Sequence, residues 1–457
     1  MAENEQKKET KTMIYLKNAT VIDPKSKTML QKDLLIDKGR ILTIADHSDE
    51  EAVCLMQQKA EGEQAETIDA AGLFIGPGLV DVHVHFRDPG LTYKEDIETG
   101  AQAAAAGGFT TVVLMANTKP PVDSVETLSY VLDKGKTTAI RVESCATITK
   151  KMQGKELTDF GALMQAGAAG FTDDGIPIVE ESVVRTAMEQ AAALQKENGR
   201  PVPLSFHEEN PAFIENNGIN RGKASEHYGI GGSDRQAEIS MVERDLKLAL
   251  ATGACFDVQH ISTKEAVELV REAKKQALLN GNGNIHAEAT PHHILLTEEA
   301  AITHGTLAKM NPPLREEEDR QAIIAGVLDG TIDLIATDHA PHSAEEKAQE
   351  ITKAPSGIIG LETAFSVALT ELFHKHHMPL TELFDRMSYA PAGMYGFDRG
   401  YIETGAVADL ILFDPKKEII YETFRSRSSN TPFRGMPLKG QILMTICDGK
   451  IVYRVGK

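Results

Sequence analysis

The segment GLVDVHVHFRDPG, residues 78–90, alternates polar and aliphatic side chains. Asp81, His83 and His85 alternate with valines and a leucine. A strand turns successive side chains to opposite faces, so the three polar residues are expected to share one face. Two neutral imidazoles two residues apart on a strand can bind one divalent ion. The segment therefore predicts a strand that ends in a metal site.

Apolar runs of the same kind recur along the middle of the chain, and segments of helical period follow most of them. One such segment, SDRQAEISMVERDLKLALATG, begins at a Ser/Asp cap and ends at Gly253, as helices commonly do. The strand candidates are LVDVHVHF, TTVVLMAN, TAIRVESCATI, AGFTDD, VPLSFHEE, ACFDVQHIS, NIHAEATPHH and DLIATDHAP. Eight strand-then-helix units predict an α/β fold, a TIM-like (β/α)8 barrel.

The two ends of the chain have a different pattern, with short strands separated by turns. This pattern covers residues 13–75 and returns in ADLILFDP and QILMTICDGKIVYRV. We therefore expect residues 13–75 and 396–457 to form one small β-sandwich domain, and residues 76–395 to form the barrel. Residues 1–12 are predicted to be a disordered tail, and the charged insert HSDEEAVCLMQQKAEGEQ to be a surface excursion.

The composition narrows the class of protein. A net charge of −19 and a pI near 5.3 argue against binding to nucleic acid or to anionic membranes. No apolar run approaches the roughly 20 residues that span a bilayer. The four cysteines are widely spaced, which is typical of a reducing compartment. The charged start of the chain shows no signal peptide. We expect a cytoplasmic enzyme that acts on a small molecule.

Histidines and aspartates stand where the predicted strands end, which is where barrel enzymes place their chemistry. A bound divalent ion lowers the pKa of water to about 7 and polarises a carbonyl group, so such a cluster suits hydrolysis of an amide. Imidazole-rich sites with some carboxylate favour zinc, and manganese or cobalt could substitute. The predicted ligands are His83, His85 and Asp338 for a first ion, His207 and His260 for a second, and Asp174 as the bridge.

The aspartates of this cluster allow two further inferences. Asp338 is also placed to take a proton from water and pass it to the leaving nitrogen. Asp173 precedes Asp174, and alternation points only one of the two inward, so the sequence leaves open which aspartate bridges.

The motifs GLVDVHVHFRDPG, GFTDDG, HISTKE, NPPLR, ATDHAPHS and GLETAF, in this order, resemble those of the class I bacterial dihydroorotases in the amidohydrolase superfamily. The similarity covers residues 13–455 apart from the insert near 50–66. It implies the reversible cyclisation of N-carbamoyl-L-aspartate to L-dihydroorotate plus water, a step of pyrimidine synthesis. It also implies one or two zinc ions, a homodimer and a possible association with aspartate carbamoyltransferase.

The resemblance further implies which residues contact the anionic substrate. These are His85, Arg87, Asn117, Asn311, His342 and the backbone at Ser356 and Gly357. Arg87 offers a planar fork for a carboxylate and, two residues past His85, is expected on the inward face of the strand. Its alternative is an ion pair with Asp88 or Glu95. The alternative for Asn311 is a turn before Pro312.

Other interpretations remain open from the sequence. A hydantoinase, dihydropyrimidinase or allantoinase would share the barrel and the metals, but the resemblance implies a bridging lysine in those relatives, and AGFTDDG has none. A non-catalytic scaffold should have lost metal ligands, and this chain has all six. The polar segment 342–357 is either a mobile lid or a plain surface loop.

Overall fold

The computed structural model describes residues 13–281 and 284–456, so the predicted tail 1–12 lies outside the described residues. Strands and helices are numbered in chain order. Both ends of the chain contribute to one sheet with the order β16-β15-β14-β5-β1-β2-β3, and β4 pairs with β1. Its strands are β1 (Ile14–Asp23), β2 (Thr28–Asp37), β3 (Arg40–Asp46), β4 (Glu66–Asp69), β5 (Phe74–Pro77), β14 (Leu410–Ile420), β15 (Pro437–Cys447) and β16 (Lys450–Arg454).

This sheet folds over a core of its own. Gly39, in the β2–β3 turn, accepts a hydrogen bond from the Ala408 backbone N–H at 2.8 Å, next to β14. Aliphatic side chains from both chain ends, such as Leu34 and Leu412, share the enclosed cluster. The architecture is the predicted sandwich from both chain ends. The domain boundaries stay a prediction, and β5 runs to Pro77, two residues past the expected limit.

The charged insert, predicted to be a surface excursion, forms a mostly exposed helix, α1 (Glu50–Gly62). The Asp49 side chain caps its first turn, and two glutamates there favour the positive end of the helix dipole. Met56 and Ala60 are buried against Tyr15 and the rest of a small satellite core. Two apolar positions four residues apart are enough to fix one face of this otherwise polar helix.

Eight parallel strands form the barrel between these ends. They are β6 (Leu79–Val84), β7 (Phe109–Leu114), β8 (Arg141–Ser144), β9 (Phe171–Thr172), β10 (Leu204–Phe206), β11 (Phe256–Val258), β12 (Ile285–Ala289) and β13 (Leu334–Ile335). Neighbouring strands pair in sequence order within β6–β8 and β9–β13. Bridges from Ala146 to Phe171 and from Val84 to His339 close the ring. The predicted (β/α)8 barrel is confirmed.

Helices follow the barrel strands and cover them. They are α2 (Ile97–Ala106), α3 (Val125–Gly135), α4 (Phe160–Ala166), α5 (Glu181–Asn198), α6 (Lys223–Tyr228), α7 (Gln236–Thr252), α8 (Lys264–Leu279), α9 (Pro291–Leu295), α10 (Glu298–His304), α11 (Glu317–Asp329), α12 (Ala344–Lys347), α13 (Ala364–Ala368), α14 (Leu380–Phe384) and α15 (Ala390–Met394). Helix α7 ends where the sequence predicts, because Gly253 adopts the left-handed conformation that terminates a helix.

The barrel strands are shorter than the apolar runs that predict them. Strands β9 and β13 pair over two residues each. Every residue of β6 is buried. Val84 belongs to the main core, Val80 and Val82 cluster with residues of other barrel strands, and Asp81 accepts from the backbone N–H groups of His83 and Thr337. The residues beyond each strand leave the ladder and form the loops that carry the polar side chains. Among the described residues, no helix has the length and apolar character needed to cross a membrane.

Candidate metal centre and substrate pocket

A cavity of about 200 Å³ opens at the carboxyl ends of the barrel strands. Every site residue predicted from the sequence lines it except His83, which is fully buried. The barrel brings these residues together because each follows a strand, and parallel strands all end at the same rim. Gly175 and Ala340 also line the cavity and were not predicted.

Asp174 lies at the centre of the histidines. Its Oδ1 is 3.5 Å from His83 Nε2 and 3.7 Å from both His207 Nδ1 and His260 Nε2. Its Oδ2 is 3.4 Å from His85 Nε2. One carboxylate therefore faces both predicted metal positions with different oxygens, which is the geometry that a bridging ligand needs.

Asp338 completes the other side of the cluster. Its Oδ1 is 3.1 Å from His85 Nε2 and 3.6 Å from His83 Nε2. These three residues form one group with ligand atoms within 4.8 Å of one another, and His83, Asp174 and His260 form a second. We call the six residues His83, His85, Asp174, His207, His260 and Asp338 the histidine–aspartate cluster.

The donor set fits divalent metal ions that bind imidazole and carboxylate. His83 Nε2 is buried, points at both aspartates and has no hydrogen-bond partner among the described residues. A buried polar atom left without a partner is costly in a folded protein, and a metal–ligand bond would remove that cost. The residues present therefore fit the ions that the sequence implies.

Two carboxylates that the sequence analysis did not assign orient these histidines. Glu288 Oε2 is 2.8 Å from His83 Nδ1, and Glu209 Oε2 is 3.0 Å from His207 Nε2. A carboxylate on one ring nitrogen fixes the proton there and leaves the other nitrogen free to bind metal. The signal for Glu288 was a carboxylate between two alanines of the predicted strand NIHAEATPHH. For Glu209, it was the unusual HEEN sequence.

Asn117 plays a similar orienting part. Its Oδ1 accepts from His85 Nδ1 at 2.9 Å, and its Nδ2 donates to Asp174 Oδ2 at 3.2 Å. It also lines the cavity, where the sequence predicts a substrate contact. In the structure, the Asn117 side-chain amide already makes hydrogen bonds to two residues of the cluster, His85 and Asp174.

The neighbouring Asp173 faces away from the cluster. Its carboxylate accepts the backbone N–H groups of Ile148 and Thr149, the former at 2.8 Å, as well as the Thr149 hydroxyl. The two aspartates, which follow the end of β9, therefore have separate partners, and Asp174 is the one among the histidines.

Electrostatics keep the carboxylates of the cluster ionised. Burial alone would raise the pKa of Asp174, but the charge of His83 and hydrogen bonds from the histidines outweigh it and hold that pKa well below its usual range. The pKa of Asp338 is lowered in the same way, with burial opposed chiefly by the hydrogen bond from His85. For His207, burial is outweighed by Asp174 and Glu209, which raise its pKa to about 10.

Two cluster residues and Arg87 adopt the left-handed backbone conformation that favours glycine. The φ angles are +32° at His260, +47° at Asp338 and +58° at Arg87. Such backbone costs about 1 kcal/mol or more for a residue with a Cβ, and it concentrates at functional sites. Here it turns each side chain into the cavity at the point where the strand has ended.

This conformation corrects the sequence argument for Arg87. Strand β6 ends at Val84, so alternation does not carry Arg87 to the inner face. The left-handed turn does so instead, and Arg87 Nε donates to Pro341 O at 3.3 Å. The proposed ion pairs do not form either. Asp88 binds Lys134 at 2.5 Å, and Glu95 accepts from the Ser426 hydroxyl.

The far side of the cavity combines side chains and backbone. Asn311 Nδ2 is 3.2 Å from His207 Nε2, and the same residue precedes Pro312, so both alternatives for Asn311 occur together. Gly357 lines the cavity, but its N–H donates to Lys309 O at 2.9 Å and its carbonyl accepts from the Lys347 ammonium. Gly357 therefore supplies space rather than a free backbone donor. A Cβ there would meet Ala340 at 2.7 Å.

Two buried lysines fasten the segment 343–357, which we call the strap. Lys309 Nζ donates to the carbonyls of Ile351 and Ala354, both at 2.8 Å. Lys347 Nζ donates to Pro355 O at 2.9 Å and to Gly357 O at 3.0 Å. Four hydrogen bonds from buried lysines to backbone carbonyls favour a fixed wall over a mobile lid.

Comparisons with known proteins show the family to which the chain belongs. A family model described as dihydro-orotase-like matches residues 72–266. The curated dihydroorotase of Clostridioides difficile is 50% identical over 96% of this chain and 100% of that protein. Those of Clostridium acetobutylicum and Streptococcus pneumoniae are each 47% identical, over 96% and 97% of this chain and 99% and 100% of their own lengths.

Solved structures of cyclic amidohydrolases have the same fold. An L-hydantoinase from Arthrobacter aurescens superposes with a TM-score of 0.81 at 26% identity, over 97% of this chain and 96% of that chain. A dihydropyrimidinase from Brevibacillus agri gives 0.80 at 21% identity, over 97% and 95%, and shows the likeness of fold alone.

Proposed function

We infer the reaction from the premise that this chain belongs to the dihydroorotase family, to whose curated members it is 45–50% identical over 96–97% of its length. The chain is an enzyme, a hydrolase of cyclic amide bonds. We propose that it interconverts N-carbamoyl-L-aspartate and L-dihydroorotate, with release of water on ring closure, and so serves pyrimidine biosynthesis.

The observation that supports this proposal is that one cavity is lined both by candidate metal ligands and by donors suited to a carboxylate. The histidine–aspartate cluster lines one part of it, and the half-buried Arg87 side chain and the His342 imidazole line another part of the same cavity of about 200 Å³. A guanidinium in so small a polar cavity matches a substrate with a carboxylate beside its cyclic amide. Hydantoin and dihydrouracil carry no such group.

We propose zinc as the metal, held by His83, His85 and Asp338 at one position and by His207 and His260 at the other, with Asp174 between them. Such an ion lowers the pKa of water and polarises a carbonyl oxygen. Metal analysis of the purified protein would show whether one or both of these positions are occupied. Manganese or cobalt would suit the same donors.

The residues then divide the remaining work. Asp338 is ionised, so it can accept a proton from the attacking water and return it to the ring nitrogen as the amide bond breaks. Arg87 and His342 hold the carboxylate of the substrate. Asn311 and the Ser356 backbone close the cavity on the other side, and Asn117 keeps His85 and Asp174 in place.

A parallel substrate assay tests the proposal. Zinc-loaded protein receives dihydroorotate, hydantoin, dihydrouracil and allantoin, with a chelated sample as the control. We expect turnover of dihydroorotate alone, lost on chelation and restored by zinc. Turnover of a neutral ring instead would replace this proposal with a hydantoinase-type function. Metal-loaded protein without any turnover would favour a scaffold.

The position of equilibrium gives a second test. Ring opening creates a new carboxylate and releases a proton, so closure is favoured in acid and hydrolysis in alkali. We expect the ratio of the two compounds at equilibrium to shift about tenfold per pH unit above the pKa of the new carboxyl group, which is near 4. A ratio independent of pH would exclude this pair of compounds.

Location and assembly are further parts of the proposal. The four cysteines are all free and three are buried, which supports a reducing, cytoplasmic environment. We propose a homodimer, to be measured by light scattering of the purified protein. An association with aspartate carbamoyltransferase would be tested by co-sedimentation.

A further inference from the structure

Lys94 is a buried lysine that neither the sequence analysis nor the reaction uses. It follows β6 by ten residues, and only 8% of its surface is exposed. Its ammonium nitrogen is 2.9 Å from Glu346 Oε1, in the strap, and 3.3 Å from His342 Nδ1. It therefore touches the imidazole that lines the cavity without lining the cavity itself.

The contact with Lys94 fixes where His342 carries its proton. An ammonium group only donates, and a neutral imidazole has one donor and one acceptor nitrogen. Arg87 Nη2, 3.5 Å from His342 Nε2, also only donates, and a neutral ring accepts at one nitrogen. The contact with Lys94 is the shorter of the two, at 3.3 Å, so we take Nδ1 as the acceptor and place the proton on Nε2. Glu346 does not compete for Nδ1, because it is 3.7 Å away and already accepts from Tyr93 Oη at 2.9 Å and Ser343 N at 3.0 Å.

The protonated Nε2 edge faces the cavity. It lies 3.5 Å from Arg87 Nη2, and a Cβ built on Gly357 would lie 3.2 Å from it. Guanidinium and imidazole N–H groups are both donors, so they cannot bond to each other. Both can instead donate to acceptor oxygens: the Ser356 backbone accepts from the His342 ring, and Arg87 and His342 both line the cavity that a ligand oxygen would enter.

We propose that Lys94 is a positioning residue for the carboxylate of the substrate: it holds His342 as the Nε2–H tautomer, so that His342 and Arg87 donate together to one carboxylate. This inference rests on the proposed function, because it assigns the substrate's carboxylate to these two donors. Lys94 also places a positive charge behind the His342 imidazole. This charge attracts the carboxylate of the substrate on the other side of the ring.

The ionisation of His342 agrees with this arrangement. Burial, followed by the charges of Arg87 and Lys94, holds the pKa of His342 far below its usual range. The ring is therefore neutral at physiological pH, as an imidazole that accepts from an ammonium must be.

Steady-state kinetics of the zinc-loaded enzyme test the proposal. Lys94→Met should raise KM for dihydroorotate about tenfold with a smaller change in kcat, because the lost interaction acts on bound substrate before and during the reaction. Lys94→Arg keeps a donor near Nδ1 and should recover part of the loss. Lys134→Met removes a lysine from another ion pair, with Asp88, and is the matched control.

Glu346→Gln separates positioning from a merely structural ion pair. It removes the partner of Lys94 but leaves the ammonium, so we expect a smaller rise in KM than for Lys94→Met. Equal rises in KM for the two variants would overturn the proposal, as would an unchanged KM in Lys94→Met.

A spectroscopic measurement keeps this test independent of the substrate. In ¹⁵N-histidine-labelled protein, His342 is identified by the signals lost in His342→Gln. We expect a protonated Nε2 and an unprotonated Nδ1, and a mixture of tautomers in Lys94→Met. A proton on Nδ1 of the unmodified protein would overturn the proposal. If the expected tautomer is found and the enzyme turns over only neutral rings, the proposed function fails while the role of Lys94 toward His342 stands.

Discussion

The two walls of the cavity have opposite electrostatic character. The histidine–aspartate cluster presents two ionised carboxylates among imidazoles, which suits a cation. A second part of the lining, which we call the cationic wall, consists of Arg87 and His342 with Lys94 behind His342, and it presents donors and positive charge to an anion. Different residues therefore carry out catalysis and select the substrate, although both groups contact one cavity of about 200 Å³.

The walls are also built differently. The cluster is fixed by strand ends on all sides of the barrel, supported by buried carboxylates behind the imidazoles. The cationic wall comes from the loop after β6 and from His342, directly before the strap, and the contact of Lys94 with Glu346 joins this loop to the strap. Changes in the cluster should therefore reduce turnover or metal binding, whereas changes in the wall should reduce substrate affinity.

The largest expected effect is at the cluster. Asp338→Asn should lower kcat by about 10²–10⁴-fold, because the amide cannot accept and return a proton. Metal content, measured by atomic emission, should stay high, since the other ligands remain. Asp333→Asn is the control, because Asp333 precedes the same strand at the opposite end of the barrel. Near-normal turnover of Asp338→Asn would refute its acid–base role.

Removal of the guanidinium from the wall should act on binding. Arg87→Ala should raise KM for dihydroorotate about 10- to 100-fold, the range for lost hydrogen bonds to a charged group. Zinc content and thermal stability should change little. Arg185→Ala, which removes an exposed arginine paired with Glu181, is the control. An unchanged KM for Arg87→Ala would exclude a carboxylate contact there.

Glu288→Gln probes the support behind the cluster. The amide can no longer fix the His83 proton as a carboxylate does, so zinc affinity should fall about 10-fold, at the lower end of the usual range for such partners. Competition with a chromogenic chelator measures this, and KM at saturating zinc should be nearly unchanged. Glu318→Gln, at an exposed ion pair, is the control. Unaltered zinc affinity would show that Glu288 does not orient His83.

The smallest expected effect concerns the strap that supports the wall. Burial, followed by the charge of Lys309, lowers the pKa of Lys347 to about 7. In the unfolded chain this pKa is about 10.4, so between pH 7 and 10 the unfolded state binds the proton that the folded state has released. This group's contribution to stability should therefore rise with pH over that window, by a few kcal/mol at most, since one pKa unit corresponds to about 1.4 kcal/mol.

Urea unfolding at pH 7 and pH 9.5 measures this contribution. The rise in the free energy of unfolding between these two pH values should vanish in Lys347→Met. It should persist in Lys353→Met, which removes an exposed lysine of the same strap. The same pH dependence in Lys347→Met would show that another group is responsible.

Much of this architecture follows from the sequence alone. The alternation in residues 78–90 and seven further apolar runs determine a parallel barrel, because each run must be buried on both faces. Polar residues that interrupt such runs only at their ends mark the rim, and this is why all six cluster residues could be named before their geometry was known.

The tertiary structure decided what depends on local backbone and on distant partners. Arg87 reaches the cavity through a left-handed turn that alternation does not predict, and Asp173 turns away to bind the backbone at residues 148 and 149. The contacts of Lys94 with His342 and of Glu288 with His83 join residues more than 200 positions apart. Sequence periodicity reports which face a residue occupies, whereas a hydrogen bond depends on ångström distances that only the closed barrel sets.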